Sequence, residues 1–453
     1  MKEFDNLQLI DQIKYLKDTD VVIPSWEKLE KEYNPMKHAV MDTATYPDLT
    51  DGEGAPIPVS RVPLAMQRLA VRRMTELAVG LPVKRIYHYD TDDERQKEVA
   101  VMLEKVFERN RIDSINIERC HNLYASCISL TLWYGVVETN NYYGFDSDIK
   151  LRCKNYSPLQ GHQIYVKKDE TDDVIAISIG YKVREDKKDV EYLLSYTKDK
   201  LITYRKEMEW TREEQEIAIG KIPAVYVERP LPIWENTSPL VNELEWTMSR
   251  MGNYIRANAK PIFGIFSDEK ISTGKEPGYY DRLVIQYPAN AEAKFITWEQ
   301  STEAVKMHVE FLRSSFFTTL QLPEFDFETM KSTPMSGEAR KMMFIDAQLK
   351  VKDESGRLEE MMSREVNVVK AFLKIMRPEY ADAIDKLQVE VEIVPFTIND
   401  ERERIDNIIA ATGGKAIASQ KEGVQMLGWS VDVGETLVEI QNDEKMDITH
   451  LYE

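Results

Sequence analysis

Two stretches of the chain end the way phosphate-binding loops end. Ser272-Thr-Gly-Lys275 and Thr412-Gly-Gly-Lys415 each set a lysine after a glycine. A nucleotide loop also needs an earlier glycine and a hydroxyl after the lysine, so that free backbone N–H groups can cradle a phosphate. In the first stretch Glu269 stands where that glycine belongs, and Glu276 follows the lysine. The second stretch fails in the same way and follows no strand. Both read as a loop and a turn. The six histidines, His38, His88, His121, His162, His308 and His450, include no pair three or four residues apart, so no helical face carries a two-histidine metal site. Asp90-Thr-Asp-Asp-Glu94 has the charge density of a calcium loop, but Arg95 occupies the position that needs glycine, and the run reads as a helix cap. No GxSxG elbow is present. Cys120 and His121 are adjacent, which on a helix points them about 100° apart. Cys120 and Cys127 share a helical face by period and read as buried packing. Carboxylate pairs carry no information in a chain with 78 acids. No catalytic residue, metal or cofactor is assigned, and the expectation is a protein that is not an enzyme.

The charge balance narrows the classes further. The 453 residues include 59 Lys plus Arg against 78 Asp plus Glu, a net charge of −19. Tight sequence-independent DNA binding draws its strength from cations neutralising phosphates, and a polybasic membrane surface needs the same groups. Neither suits this chain. Three cysteines cannot build a disulfide framework, so a reducing compartment is the default. The start of the chain never reaches an uncharged apolar run, which argues against a secretory signal. The least polar stretch, Leu123 to Val137, is shorter than a membrane helix and reads as a buried helix running into a strand.

The elements that would position any site follow from period and punctuation. Ile10–Leu16 reads as helix. Leu64–Val79 is an amphipathic helix stopped by Gly80 and Pro82. A helix capped at Thr91–Glu94 runs to about Arg109, and another from Ile112 to about Leu132. Between 150 and 228 the period changes to two. Asp173–Val183, Val190–Tyr196, Leu201–Tyr204 and Lys221–Glu228 read as strands, antiparallel because no crossover helix fits between them. Ser238, followed by proline, caps a helix to about Asn258. Short strands follow around Phe263–Phe266, Arg282–Tyr287 and Lys294–Ile296. Helices cover Ser301–Leu320 and Ser336–Met376, the second with a kink at Gly356. Leu387–Val394 alternates as a strand, and a helical region closes the chain.

The order of motifs resembles the portal proteins of tailed bacteriophages, the siphophage type with wing, stem, clip and crown. The residues that carry it are Ile222-Pro-Ala-Val-Tyr-Val, the helix opened by Ser238, Val309-Glu-Phe-Leu-Arg-Ser-Ser-Phe-Phe, Ser336-Gly-Glu-Ala-Arg, Pro395-Phe-Thr-Ile-Asn-Asp-Glu and Gly413-Gly-Lys-Ala-Ile-Ala-Ser419. Arg61–Arg85, with Gly80-Leu-Pro-Val, matches the family's N-terminal helix. The resemblance spans about residues 60–445. Two departures stand out. Asn253-Tyr254 replaces an acidic-aromatic pair, and Ser419 is followed by Gln-Lys-Glu-Gly rather than the usual ending. The C-terminal part is short for a large crown.

The resemblance implies an α+β portal fold: an α/β wing, a two-helix stem, a small β-rich clip, a long kinked wing helix and a short helical crown. It places the wing at 1–237, the first stem helix at 238–258, the clip at 259–298, the second stem helix at 299–321 and the tunnel loop at 322–335. The long helix and a wing strand take 336–397, and the crown 398–453. It implies a dodecameric ring at one capsid vertex, assembled in the host cytoplasm together with capsid and scaffolding proteins. Double-stranded DNA would pass through without sequence reading, and no membrane is involved. Lys331, Ser332 and Thr333, with Met330 and Glu328, would lie nearest DNA. Phe263, Phe266, Lys270, Lys275 and Tyr279 would dock terminase and head-completion or adaptor proteins. Charged residues of the long helix, among them Arg340, Lys341, Lys350, Lys352, Asp353 and Glu354, would meet neighbours or solvent. The other classes open to the chain are a phage connector or oligomeric scaffold without a DNA channel, and a metal-dependent nuclease.

Overall fold

A computed structural model of the chain describes residues 4–50, 54–90, 92–185, 187–258, 263–266, 284–287, 299–324, 342, 344–395, 401–413, 418–427, 434 and 436–440. The fold is α+β, as expected. It divides into two compact units, Met1–Glu324 with Asp346–Phe396, and Phe325–Ile345 with Thr397–Glu453.

The first unit is built around two sheets packed face to face. An antiparallel meander orders its strands β10-β9-β8-β7-β6, where β6 is Gln163–Lys168, β7 Val174–Glu185, β8 Lys188–Tyr196, β9 Lys200–Lys206 and β10 Trp210–Glu216. A second sheet orders β11-β4-β5, with β4 Ile128–Asn140, β5 Ser147–Tyr156 and β11 Ala224–Glu228. Ile128, Leu130 and Leu132 of β4 and Ala224 and Tyr226 of β11 meet Ile164, Val166, Ile177 and Ile179 of the meander in one buried cluster. Helix α1, Leu9–Lys17, covers the meander's other face through Ile13 and Leu16 against Ala176, Leu193, Ile202 and Tyr204.

The alternate residues of β4 point the other way, toward helices. Helix α5 is Ile112–Ser126, and the long helix α8 is Ile345–Met376, unbroken through Gly356. Helices α2 (Trp26–Tyr33), α3 (Met66–Val79) and α4 (Glu94–Arg109) complete this layer. Between α5, α8 and β4 lies a buried ionic knot. Arg119 of α5 donates two hydrogen bonds to Glu365 Oε2 of α8, both 3.1 Å, and Trp133 Nε1 of β4 donates to Glu365 Oε1 at 2.9 Å. Arg119 is 0% and Glu365 2% exposed. The apolar face expected on the second half of α8 is there, with Leu358, Met361, Met362, Val366, Val369 and Leu373 buried. After α8, helix α9 (Ala381–Lys386) leads to β14 (Gln388–Glu392), which pairs antiparallel with β3 (Lys84–His88).

The expected helix from Ile112 to about Leu132 is too long. It ends at Ser126, and Cys127 turns the chain with φ 64°. Strand β4 is buried on both faces from Ile128 to Trp133, so no alternation marks where helix gives way to strand. Strands β3, β6 and β10 and helix α2 also lie outside the expected elements. Ser238 does not cap its helix. Helix α6, Ser238–Asn258, begins with it, and its hydroxyl donates to Glu32 Oε2 at 2.8 Å. The Thr237 carbonyl takes the amides of Leu240 and Val241 instead.

The second unit contains helices α10 (Glu401–Thr412) and α11 (Gln420–Leu427), which pack together. Ser419 and Glu422 form a reciprocal capping box: Glu422 N–H donates to Ser419 Oγ, and Ser419 N–H to Glu422 Oε2. The residues that depart from the portal motif thus start a helix. A Cβ on Gly423 would come within 2.9 Å of Thr412, so the two helices need glycine there.

Removing one member of a buried ion pair strands the other. Glu365→Ala should cost about 3–5 kcal/mol of unfolding free energy, whereas Arg119→Met with Glu365→Leu should recover most of it. Denaturant titration of both variants measures this. Equal losses in the two would mean that packing, not charge pairing, sets the cost.

Candidate functional site: the helix pair α6–α7 and the anchored exit from α7

Helix α6 and helix α7 (Glu299–Thr319) pack on each other. The root of α6 is fixed by a polar stripe. Glu245, Ser249 and Asn253 stand four residues apart on one face and accept N–H groups from an extended segment. Leu64 N–H donates to Glu245 Oε1 at 2.7 Å, Val62 N–H to Ser249 Oγ at 2.9 Å and Ser60 N–H to Asn253 Oδ1 at 2.5 Å. Four helical residues rise about 6 Å and two extended residues about 6.6 Å, so the two repeats stay in step. Gly252 allows the approach, since a Cβ there would lie 2.6 Å from Ser60 Oγ. Asn253 also donates to the Tyr46 hydroxyl at 2.7 Å, which gives the departure from the acidic-aromatic pair a local role.

Glu245 also meets His38, Nδ1 to Oε1 at 2.6 Å, both side chains nearly fully buried. Burial pulls the imidazole's pKa down, but the hydrogen bond and charge of Glu245 and the Glu32 carbonyl outweigh it, so the pKa is raised. Glu32 itself accepts from Trp234 Nε1 and the Ser238 hydroxyl at 2.8 Å each. The first turn of α6 is therefore bound to α2 and to the Pro-rich segment before it.

Helix α7 ends in a Schellman arrangement. Leu322 N–H donates to the Phe317 carbonyl and Gln321 N–H to that of Thr318, with Gln321 at φ 53°. Three cations hold the chain where it leaves the helix. Arg73 of α3 donates to the Pro323 carbonyl and stacks 4.5 Å over the Phe317 ring. Arg313 pairs with Glu324 at 2.7 Å. Lys350 of α8 donates to the Leu320 carbonyl. Next to it, Arg229, just after β11, pairs with Glu354 at 2.7 Å. Lys350 and Glu354 are thus inner contacts of the subunit, contrary to their expected place facing neighbours or solvent. Lys352 and Asp353 are exposed. Arg340 and Lys341 lie outside the described residues.

The expected DNA-facing residues Glu328, Met330, Lys331, Ser332 and Thr333 also lie outside the described residues. So do Lys270, Lys275 and Tyr279. Phe263 and Phe266 bound strand β12 (Phe263–Phe266), which pairs in parallel with β13 (Val284–Tyr287). Sequence reading found the two helices and missed the stripe on α6, the cations at the end of α7 and the αL residue Gln321. A serine and an asparagine four residues apart were the available signal for the stripe.

The reactive side chains are quenched by their surroundings. Burial pushes the thiols of Cys120, Cys127 and Cys153 up to about 12. Asp93 accepts from the N–H groups of Arg95 and Gln96, as a cap does. Among the described residues no three His, Cys, Asp or Glu side chains converge as a metal site would require, and no helix is long and apolar enough to cross a membrane.

The buried charges each fasten one element to another. The family described as "Phage portal protein, SPP1 Gp6-like" matches residues 14–450, and the chain belongs to it. The family is structural rather than enzymatic, and its members are components of the phage particle. No curated protein matches the chain. Among solved structures it is similar to a chain of "Neck of empty GTA particle computed with C6 symmetry", at 9% identity and TM-score 0.39, covering 80% of this chain and 89% of that one. It is also similar to a chain of "Virion of native gene transfer agent (GTA) particle", at 9% identity and TM-score 0.36, covering 93% and 99%.

Lys350 gives the anchored exit from α7 a pH signature. Burial, aided by the charge of Arg229 and opposed by Glu354 and Glu235, lowers its pKa from 10.5 to about 8. Between those values the unfolded chain binds more protons than the folded one, so this residue makes stability rise with pH. The buried thiols act oppositely but cancel in a comparison. The stability of the wild type relative to Lys350→Met should therefore increase from pH 8 to pH 10.5. Parallel stability curves across that window would show that the amine is not perturbed.

Proposed function

We propose that the chain forms a ring, dodecameric in the particle, that occupies one capsid vertex and passes double-stranded DNA during packaging and ejection. The observation that carries this reading is the exposed face of α7. Met307 and Phe311, one turn apart on α7, are 68% and 66% exposed. Large apolar side chains at this spacing form a stripe that a protomer alone leaves in water. In a ring, the neighbouring protomer covers it. Family membership supplies the rest of the reading.

In this assignment α6 and α7 are the stem and residues 259–298, with β12 and β13, the clip. Residues 322–335 are the tunnel loop, 336–397 the long wing helix and strand, 398–453 a short crown, and 1–237 the remaining wing. Lys331, Ser332 and Thr333, flanked by Met330 and Glu328, face the DNA. Phe263, Phe266, Lys270, Lys275 and Tyr279 belong to the surface that receives terminase and adaptor proteins. The net charge of −19 suits a channel, because a polyanion slides past acidic walls with few adhesive contacts.

Negative-stain electron microscopy with mass photometry tests the ring. Rings of about twelve subunits with a hole wide enough for a duplex, roughly 20 Å, are expected. A monomer at every concentration and salt would sink the proposal, and metal-dependent DNA cleavage by that monomer would favour a nuclease. Met307→Glu with Phe311→Glu should abolish rings while changing protomer stability by no more than about 1 kcal/mol, as exposed substitutions do. Rings that persist in this variant would remove the stripe from the interface. Lys331→Glu should leave rings intact and slow DNA entry into preformed heads; an unchanged rate would take the loop away from the DNA path.

A further inference from the structure

Strand β11 is an edge strand, with β4 on one side only. Its register shows which backbone groups are free. Trp133 N–H donates to the Pro223 carbonyl, and Arg229 N–H to the Cys127 carbonyl, both at 2.9 Å. In an antiparallel pair bonded residues alternate. Residues 223, 225, 227 and 229 therefore bond to β4, and the N–H and C=O groups of Ala224, Tyr226 and Glu228 point to the open edge. No described residue pairs with them.

This edge is the floor of a groove rather than a blunt rim. Two cavities of about 490 and 560 Å³ run along it, both lined by Tyr226, between the meander and α8. Apolar Met361 and Val368 of α8 flank it, and Val22, 88% exposed, stands at its rim. The ionic lining is only partly satisfied. Arg364 pairs with Glu360 and Lys168 reaches Glu228, but Arg357, Lys198 and Lys221 have no ion-pair partner among the described residues. Asp172 and Asp173 stand at the Lys198 end. The Glu228 Oε2 atom is buried without a donor.

We propose that this groove accepts an extended, acidic segment of a neighbouring copy of the chain, added to β11 as a further strand. Main-chain hydrogen bonds to Ala224, Tyr226 and Glu228 would hold it, alternate side chains would enter the two cavities, and carboxylates would reach Arg357 and Lys221. A second copy fits because open strand edges are normally covered and because a chain of net charge −19 presents acids to Arg357, Lys198 and Lys221, the lining cations that no described carboxylate pairs with. The inference rests on the ring reading.

Hydrogen–deuterium exchange with residue-level readout over 223–229 tests it, in mass-verified rings and in dissociated protomers. The amides of Val225 and Val227 should be protected in both. Those of Ala224, Tyr226 and Glu228 should exchange freely in protomers and at least about tenfold more slowly in rings. Rings in which these amides exchange as in protomers would overturn the strand addition and leave the ring reading standing. Absence of rings would overturn both. Protection that appears only after another protein is added would assign the groove to that protein and reject a second copy. Ala224→Pro removes only an outward N–H, which edge strands tolerate, so it should fold normally and assemble poorly. Normal assembly of this variant would likewise overturn the proposal.

Discussion

Glu365 is a carboxylate taken out of water and given three N–H donors, two from Arg119 and one from Trp133. Burying two charges costs about as much as their attraction returns, so such a pair adds little net stability. Its value is positional. It fixes the rotation and the height of α8 against α5 and β4 at one point. Everything else on that face of α8 then follows from helical geometry. Glu354 lies eleven residues earlier, about three turns and some 16 Å along the axis, and meets Arg229 at the end of β11. Lys350 lies one turn further and reaches the Leu320 carbonyl just past α7. A single helix thus carries the placement of the sheet core to the point where the chain leaves α7.

The second fixed relation is between α6 and the segment 60–64. A helix and an extended chain usually fall out of register within a few residues. Here every fourth helical residue meets every second extended one, and the mismatch is a fraction of an ångström per step. The acceptors Glu245, Ser249 and Asn253 use this match, and Gly252 removes the side chain that would block it. His38 adds a charge contact at the buried end. Helix α6 is therefore anchored along three turns, and the exposed stripe on its partner α7 is carried on a rigid base.

The amphipathic elements were legible in the sequence because their burial is one-sided. Helices α3, α4, α6 and α7 and the apolar face of α8 show the 3.6-residue period, and β7, β8 and β9 have strong strand composition. Two of the misses were buried on both faces or on neither, whereas α2 and β6 are one-sided but short. Strand β4 hides Ile128 and Leu130 in one layer and Ser129 and Trp133 in another, so it continues the apolar run of α5 without a break. Strand β10, WTREEQE, is mostly exposed and looks like a charged loop. The inward roles of Lys350 and Glu354 were hidden for a related reason. A charged residue on a helix reads as a solvated one unless its partner is known, and Arg229 is 125 residues away from Glu354 in the chain. The portal resemblance came from element order and short motifs, which survive when local periodicity is ambiguous.

The distribution of cations bears on how an acidic chain could handle DNA. Arg119 and Arg229 are buried against carboxylates, and Arg73 and Lys350 are spent on carbonyls at the end of α7. These groups cannot turn outward without breaking the contacts that place α7 and α8. Under the ring reading, this separates two tasks that a cation-rich surface would merge. Cations secure the framework, and contact with a moving polyanion would fall to residues 322–335, which hold one lysine. Whatever follows Glu324, the chain leaves α7 from one departure point. The hydrogen bonds to Leu320 and Pro323 and the ion pair at Glu324 fix that departure point.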